Sequence, residues 1–350
     1  MPPTIKYIPP KDADDKECEY FKSMLAKSLQ SATINFLIGS GASFPAVEVA
    51  GNIEEEIQIL YQQNKIDEAD RKKADFINKL QGCANDLIEL VEDDLSHEDK
   101  IVLQNYRNLL ETLELIMTER KTDLLSKQIN LFTTNYDLFV EQASDSLPSL
   151  LVNDGFNRTP NLKQQYKFSP SNFFNTTYNQ GNLYSYKVEI PVVNLIKIHG
   201  SLSWTKQDEG TILFSSNVRN LLSDNTNDGE VCEFLKNFAL ILPQKSKFEQ
   251  TLMDRIHYDL LRIYANELDK ENSLLIVFGF SFADEHIFDI TKRALKNPSL
   301  RLVIFAYSND DVTDFKEKFA ENNNVVIIAP SKTEKNTFLV FDNTLNLIFS

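Results

Sequence analysis

The stretch SLLIVFGFSFADEHIFDITKRALKNPSLRLVIFAYSNDDVTDFKEKFAENNNVVIIAP, residues 273–330, decides the fold. It holds three apolar runs, SLLIVFGF (273–280), RLVIFAY (301–307) and NVVIIAP (324–330), with helical spacing at 284–295 and 310–320 between them. Apolar strands alternating with helices of about ten to fifteen residues predict a parallel sheet covered on both faces. Working backwards, INFLIG (34–39), INLFTTNYD (129–137) and NLIKIHG (194–200) supply further short strands for the same sheet. The expected class is α/β, a Rossmann-like parallel sheet with helices on both faces.

The remaining segments are arranged around that sheet. Residues 1–13 are polar and proline-bearing and are expected to form an N-terminal arm, with 14–350 a single domain. Residues 15–31 carry apolar positions at helical spacing. From about 54 to 128 the pattern is helical throughout, too long for a simple crossover, so it is expected to be a helical insertion. The segment at about 151–190 is loop-rich, and SLSWTKQDEGTILFSS (201–216) reads as a hairpin turning near 207–210. A helix is expected at about 248–268, and the final run FLVFDNTLNLIF (338–349) as one or two edge strands.

Composition excludes several classes of function. The 350 residues are 42% hydrophobic and 25% charged, ordinary values for a globular protein. No apolar run reaches the roughly 18 residues of a membrane span, and the N-terminus lacks the basic and apolar parts of a secretory signal. Three cysteines, Cys18, Cys83 and Cys232, lie far apart. They provide neither a four-thiolate zinc site nor a disulfide framework, and they fit a reducing cytoplasm. With 51 acidic against 36 basic residues, a net charge of −15 would be repelled by phosphate backbones, so direct nucleic-acid binding is not expected.

Glycine is scarce, ten in the chain, and four of them (Gly39, Gly41, Gly200, Gly279) directly follow β-like runs. Ligands in open parallel sheets bind beyond the carboxyl ends of the strands. The tips there read Gly39-Ser40-Gly41-Ala42-Ser43, Thr133-Thr134-Asn135-Tyr136-Asp137, His199-Gly200-Ser201 and Gly279-Phe280-Ser281-Phe282-Ala283-Asp284. Four such tips converging on one crevice make a site. The first would let backbone N–H groups approach a phosphate, although it is neither G-x-G-x-x-G nor a P-loop.

In this order GSGAS, TTNYD, KIHG and GFS resemble the sirtuin superfamily, whose Gly-Ala-Gly-x-Ser, Thr-Gln-Asn-x-Asp, His-Gly and Gly-Thr-Ser motifs build an NAD⁺ site. The T-T-N-Y-D form is similar to that of bacterial sirtuin-like proteins of antiphage defence, which destroy NAD⁺. The resemblance implies that Gly39, Ser40, Gly41, Ala42 and Ser43 surround the pyrophosphate and ribose, with Gly279 and Ser281 on the adenosine side. It implies that His199 is the catalytic histidine and that Asn135 and Asp137 are the motif's Asn and Asp. Thr134 stands where the family has Gln. The Pro-x-Phe-Arg tail of the glycine loop and the zinc-binding cysteine pairs are missing, so the expectation is a sirtuin-like fold without a zinc module or any other metal. The missing cysteines count against peptide deacylation and leave NAD⁺ cleavage intact.

The resemblance therefore implies an NAD⁺ glycohydrolase, releasing nicotinamide and ADP-ribose and depleting cellular NAD⁺ as an antiphage effector. It further implies a homo-oligomer working beside a HerA-type ATPase. The alternatives are a deacylase, an ADP-ribosyltransferase and a non-catalytic NAD⁺ or ADP-ribose sensor. The residues suit the chemistry: a histidine, with an unperturbed pKa near ~6.5, is a natural base. Asn135 offers donor and acceptor without charge, and a carboxylate at Asp137 suits either of two roles, stabilising cationic character or holding Asn135 in place. Plainer readings stand beside these. His199 is equally a core histidine at a strand end, and Asn135, Asp137, Ser281 and Asp284 are equally helix caps.

Overall fold

The computed structural model describes residues 2–8, 23, 26–120, 125–163, 165–180, 187–207, 211–216, 226–236, 238–241, 255–330 and 335–346. Its strands in chain order are β1 (Thr4–Tyr7), β2 (Thr33–Ile38), β3 (Gln128–Thr133), β4 (Leu151–Asn153), β5 (Phe156–Asn157), β6 (Lys167–Phe168), β7 (Tyr178–Gln180) and β8 (Lys187–Glu189). They continue with β9 (Val192–Lys197), β10 (Gly200–Lys206), β11 (Ile212–Phe214), β12 (Phe238–Leu240), β13 (Ser273–Phe278), β14 (Arg301–Phe305) and β15 (Val325–Ala329). The helices are α1 (Ala50–Gln62), α2 (Ile66–Glu89), α3 (His97–Thr118), α4 (Phe139–Ser144) and α5 (Asp228–Lys236). After them come α6 (Arg255–Asp269), α7 (Glu285–Ala294), α8 (Asn309–Lys318) and α9 (Phe338–Asn346).

Eight strands form one sheet in the order β1-β15-β14-β13-β2-β3-β9-β4, and every neighbouring pair is parallel. From β2 the chain runs outward through β3 to β9, then returns to β13 and runs outward the other way through β14 and β15. This is the doubly wound order, and its switch point lies between β2 and β13. Alternation of side chains gives the sheet two cores. Ile34, Phe36 and Ile38 of β2 join one cluster with α1–α4 and α9, while Leu37 joins another with α6, α7 and α8. A second, antiparallel sheet, β12-β10-β11-β6-β5, continues directly from the end of β9.

An asparagine ladder crosses the interior of the main sheet. Asn35, Asn130, Asn194 and Asn153 are register partners on β2, β3, β9 and β4. Asn130 Nδ2 donates to Asn35 Oδ1 (2.9 Å), Asn194 Nδ2 to Asn130 Oδ1 (3.0 Å) and Asn153 Nδ2 to Asn194 Oδ1 (3.0 Å). The ladder closes at one end through Asn35 Nδ2 to Ser273 Oγ, and at the other through Gly155 N–H to Asn153 Oδ1. A shift of any one of these strands by one residue would break the ladder bonds that it makes, so the ladder fixes register.

Two expectations are corrected here. Residues 338–349 were read as edge strands, but Phe338–Asn346 is a helix. Phe338, Phe341 and Leu345 pack into the sheet core, with Phe341 stacked on Phe278 at 4.5 Å and edge-on to Phe305 at 4.8 Å. The N-terminal segment is not simply an arm, because Thr4–Tyr7 pairs with β15 as the edge strand. Of 15–31, the described residues 23 and 26–31 are helical, while the turn at 208–210 and residues 248–254 lie outside the described residues. The stretch between β2 and β3 carries α1, α2 and α3, and the described residues of the loop-rich segment carry short strands and a 3-10 turn.

Candidate active site

The tips of β2 and β13 interlock at the switch point. Gly279 has φ +65°, and a Cβ there would sit 2.6 Å from Ala42 N; one on Gly39 would sit 2.4 Å from Gly279 O. Glycine is thus required because two backbones touch. Gly39 N–H donates to Phe278 O, Gly41 N–H to Gly279 O, Ala42 N–H to Gly39 O and Ser43 N–H to Ser40 O. Two of these bonds join the glycine loop to the β13 tip and two close the glycine loop on itself. Gly200, with φ +88°, lets the chain turn from β9 into β10 where a Cβ would strike Ala239 O.

A cavity of about 410 Å³ opens over this junction. It is lined by Ser40, Gly41, Thr134, Asn135, Asp137, His199, Gly279 and Ser281 of the sequence-derived set, and by Tyr136 and Asp284. Gly39, Ala42 and Ser43 are buried behind it. Phe44, Val47, Phe76, Leu80, Phe280 and Phe315 form its apolar walls. Its charged lining is acidic, from Glu48, Asp137, Asp284 and Asp311; among the described residues no Lys or Arg lines it.

Asn135 is held from one end only. Its Nδ2 donates to Gly39 O (3.1 Å) and Ser43 Oγ (3.0 Å), whereas its buried Oδ1 has no partner among the described residues. A buried amide oxygen left open costs about 1–3 kcal/mol, which a ligand hydrogen bond would recover. Ser43 Oγ donates to Asp137 Oδ2 at 2.7 Å and lies 3.0 Å from Tyr106 OH, so one hydroxyl ties together three elements. Asp137 Oδ1 also accepts from Phe139 N–H at 3.3 Å, at the start of α4, whose N-cap is Leu138. Tyr106 comes from α3; burial and the Asp137 charge push its phenol above the ordinary value, so it remains a neutral hydroxyl.

Beneath this loop the buried Lys197 donates to Asp137 O and to Ser201 Oγ, and pairs with Glu141 Oε1 at 2.7 Å. Burial raises the Glu141 carboxyl, and the Lys197 charge opposes that shift. His199 stacks on Tyr136 at 6.4 Å, and its Nε2 lies 3.1 Å from Asp284 Oδ2. Asp284 is also the expected cap of α7, its Oδ1 accepting from His286 N–H (3.0 Å) and Ile287 N–H (3.2 Å). Trp204 is buried against Phe156, Phe168 and His257, away from the cavity. Sequence reasoning missed Tyr106, Lys197 and the contact of Asp284 with His199. Tyr106 reads as one more apolar position on an amphipathic helix, and only a charge inside the apolar run NLIKIHG signals Lys197.

Fold and cavity together define an open, doubly wound α/β protein with its crevice at the switch point. Residues 129–328, more than half of the chain, match the SIR2-like domain, and the protein belongs to that family. No curated protein matches the chain significantly. The matched span runs from β3 to β15, so the glycine loop and α1–α3 lie before it. Among the described residues no three His, Cys, Asp or Glu side chains cluster as a metal site, and no helix is long and apolar enough to cross a membrane.

Proposed function

We propose that the protein is an NAD⁺ glycohydrolase, taking NAD⁺ and water to nicotinamide and ADP-ribose. The observation that carries this reading is the buried, unpartnered Oδ1 of Asn135, a residue that lines one cavity with His199 and Asp137. In the reaction the bond between ribose C1′ and the pyridinium nitrogen breaks, and its electron pair makes nicotinamide neutral. Water oxygen bonds to C1′ and gives its proton to His199, which releases it to solvent. Asn135 Oδ1 orients the water or a ribose hydroxyl, and the apolar walls exclude bulk water. The acidic lining favours the cationic ring and the charge developing on the ribose. The pyrophosphate is met by neutral donors, for which the hydroxyls of Ser40 and Ser281 are available at the rim, alongside Thr134. The leaving group is already good, so the cleavage calls for neither a strong acid nor a metal.

The biological setting rests on the resemblance alone: a cytoplasmic antiphage effector that is a homo-oligomer, held inactive until a HerA-type ATPase partner or its signal releases it. Incubating the full chain with NAD⁺, with and without such a partner, and separating the products tests the reading. Nicotinamide with free ADP-ribose supports it. ADP-ribose attached to protein would replace it with transfer, and bound but intact NAD⁺ under both conditions would replace it with a sensor.

A further inference from the structure

The N-cap of α7 and the candidate base are joined through one carboxylate. Asp284 spends Oδ1 on the N–H groups of His286 and Ile287, which fixes its orientation, and that orientation directs Oδ2 to His199 Nε2 at 3.1 Å. Both side chains are more than nine-tenths buried, and both reach the cavity. A cap alone needs one oxygen and no second partner, and Asp or Asn serves equally.

We propose that Asp284 is a positioning residue for His199, an inference that rests on the proposed hydrolysis for its catalytic meaning. The two atoms meet as an ion pair rather than as an aligned hydrogen bond; a carboxylate oxygen at 3.1 Å still favours the proton on the imidazole nitrogen that faces it, which leaves Nδ1 as the basic nitrogen. When water attacks C1′, its proton passes to Nδ1, and Asp284 stabilises the imidazolium until that proton leaves to solvent. The tip of β13 thus orients a side chain delivered by the tip of β9, with the ends of β2 and β3 lying between those strands in the sheet.

The substitution Asp284→Asn separates the two jobs. Asn keeps the cap only if its oxygen still faces the α7 N–H groups, which turns its NH₂ towards Nε2. Nε2 must then accept, so the proton moves to Nδ1, the wrong nitrogen for the reaction. In the full chain, whose four histidines give few imidazole signals, ¹⁵N NMR reads the tautomer directly. The expected result is an exchange of tautomer at His199, a melting temperature near that of wild type, and kcat lower by about 10²-fold or more at unchanged NAD⁺ affinity. Asp284→Ala should lose stability as well as rate. An unchanged tautomer and kcat in Asp284→Asn would reduce Asp284 to a cap. If the wild-type chain does not cleave NAD⁺, the hydrolase reading fails, while the tautomer measurement still decides whether the pair exists.

Discussion

Asparagines occupy the interior in two different ways. Asn35, Asn130, Asn194 and Asn153 lie across the middle of the sheet, and each has a partner for its amide oxygen and its amide nitrogen. Asn135, one strand tip away, has its nitrogen anchored to three partners and its oxygen left without one among the described residues. A closed amide network in a low-dielectric interior specifies one register and is finished when folding is finished. An amide with one end anchored and the other open carries a folding cost for something folding does not supply. The ladder is architecture, and under the proposed function Asn135 is a receptor.

Substitutions at the two kinds of asparagine should therefore fail differently. The largest effect is expected at the open one: Asn135→Ala and His199→Ala should each lower NAD⁺ turnover by about 10²-fold or more, with circular dichroism and melting close to wild type. Asn130→Ala should do the reverse. It leaves Asn35 Oδ1, Asn194 Nδ2 and Glu267 short of a partner, a cost of about 3 kcal/mol in denaturant unfolding, while turnover per folded molecule stays the same. Tyr106→Phe tests the connection between the regions. It removes a hydroxyl from Ser43 without emptying the core, so about a tenfold loss of rate and about 1 kcal/mol of stability are expected. A rate unchanged in Tyr106→Phe would detach α3 from the site. Chelation gives the smallest effect: EDTA should leave turnover unaltered, and loss restored by zinc would contradict the metal-free cleavage.

The sheet was legible because parallel strands buried on both faces read as near-continuous apolar runs, as SLLIVF, RLVIF and VVIIA do apart from the leading Ser273 and Arg301. FLVFDNTLNLIF misled for the same reason. A helix buried against a sheet shows a dense apolar run too, and the i, i+3, i+7 spacing of Phe338, Phe341 and Leu345 carries the distinction. β1 is only four residues at an edge, with polar neighbours, and gives almost no signal. At the site, the residue types at the strand tips were legible, since polar and glycine residues ending apolar runs are conspicuous. Their partners were not: Asp284 announces a cap, and nothing in the linear order says that its second oxygen meets His199. The glycines were read for a ligand when their immediate neighbour is each other, because a contact between Gly39 and Gly279 spans 240 residues of chain and leaves no local trace.

The most direct test of the open amide is nicotinamide release per folded molecule by wild type and Asn135→Ala, measured beside their melting temperatures. The account predicts release by the wild-type chain, at least about 10²-fold less by the variant, and little change in melting. Equal release by both proteins, or a variant that loses rate only in proportion to lost folding, would make Asn135 another member of the ladder and contradict the account.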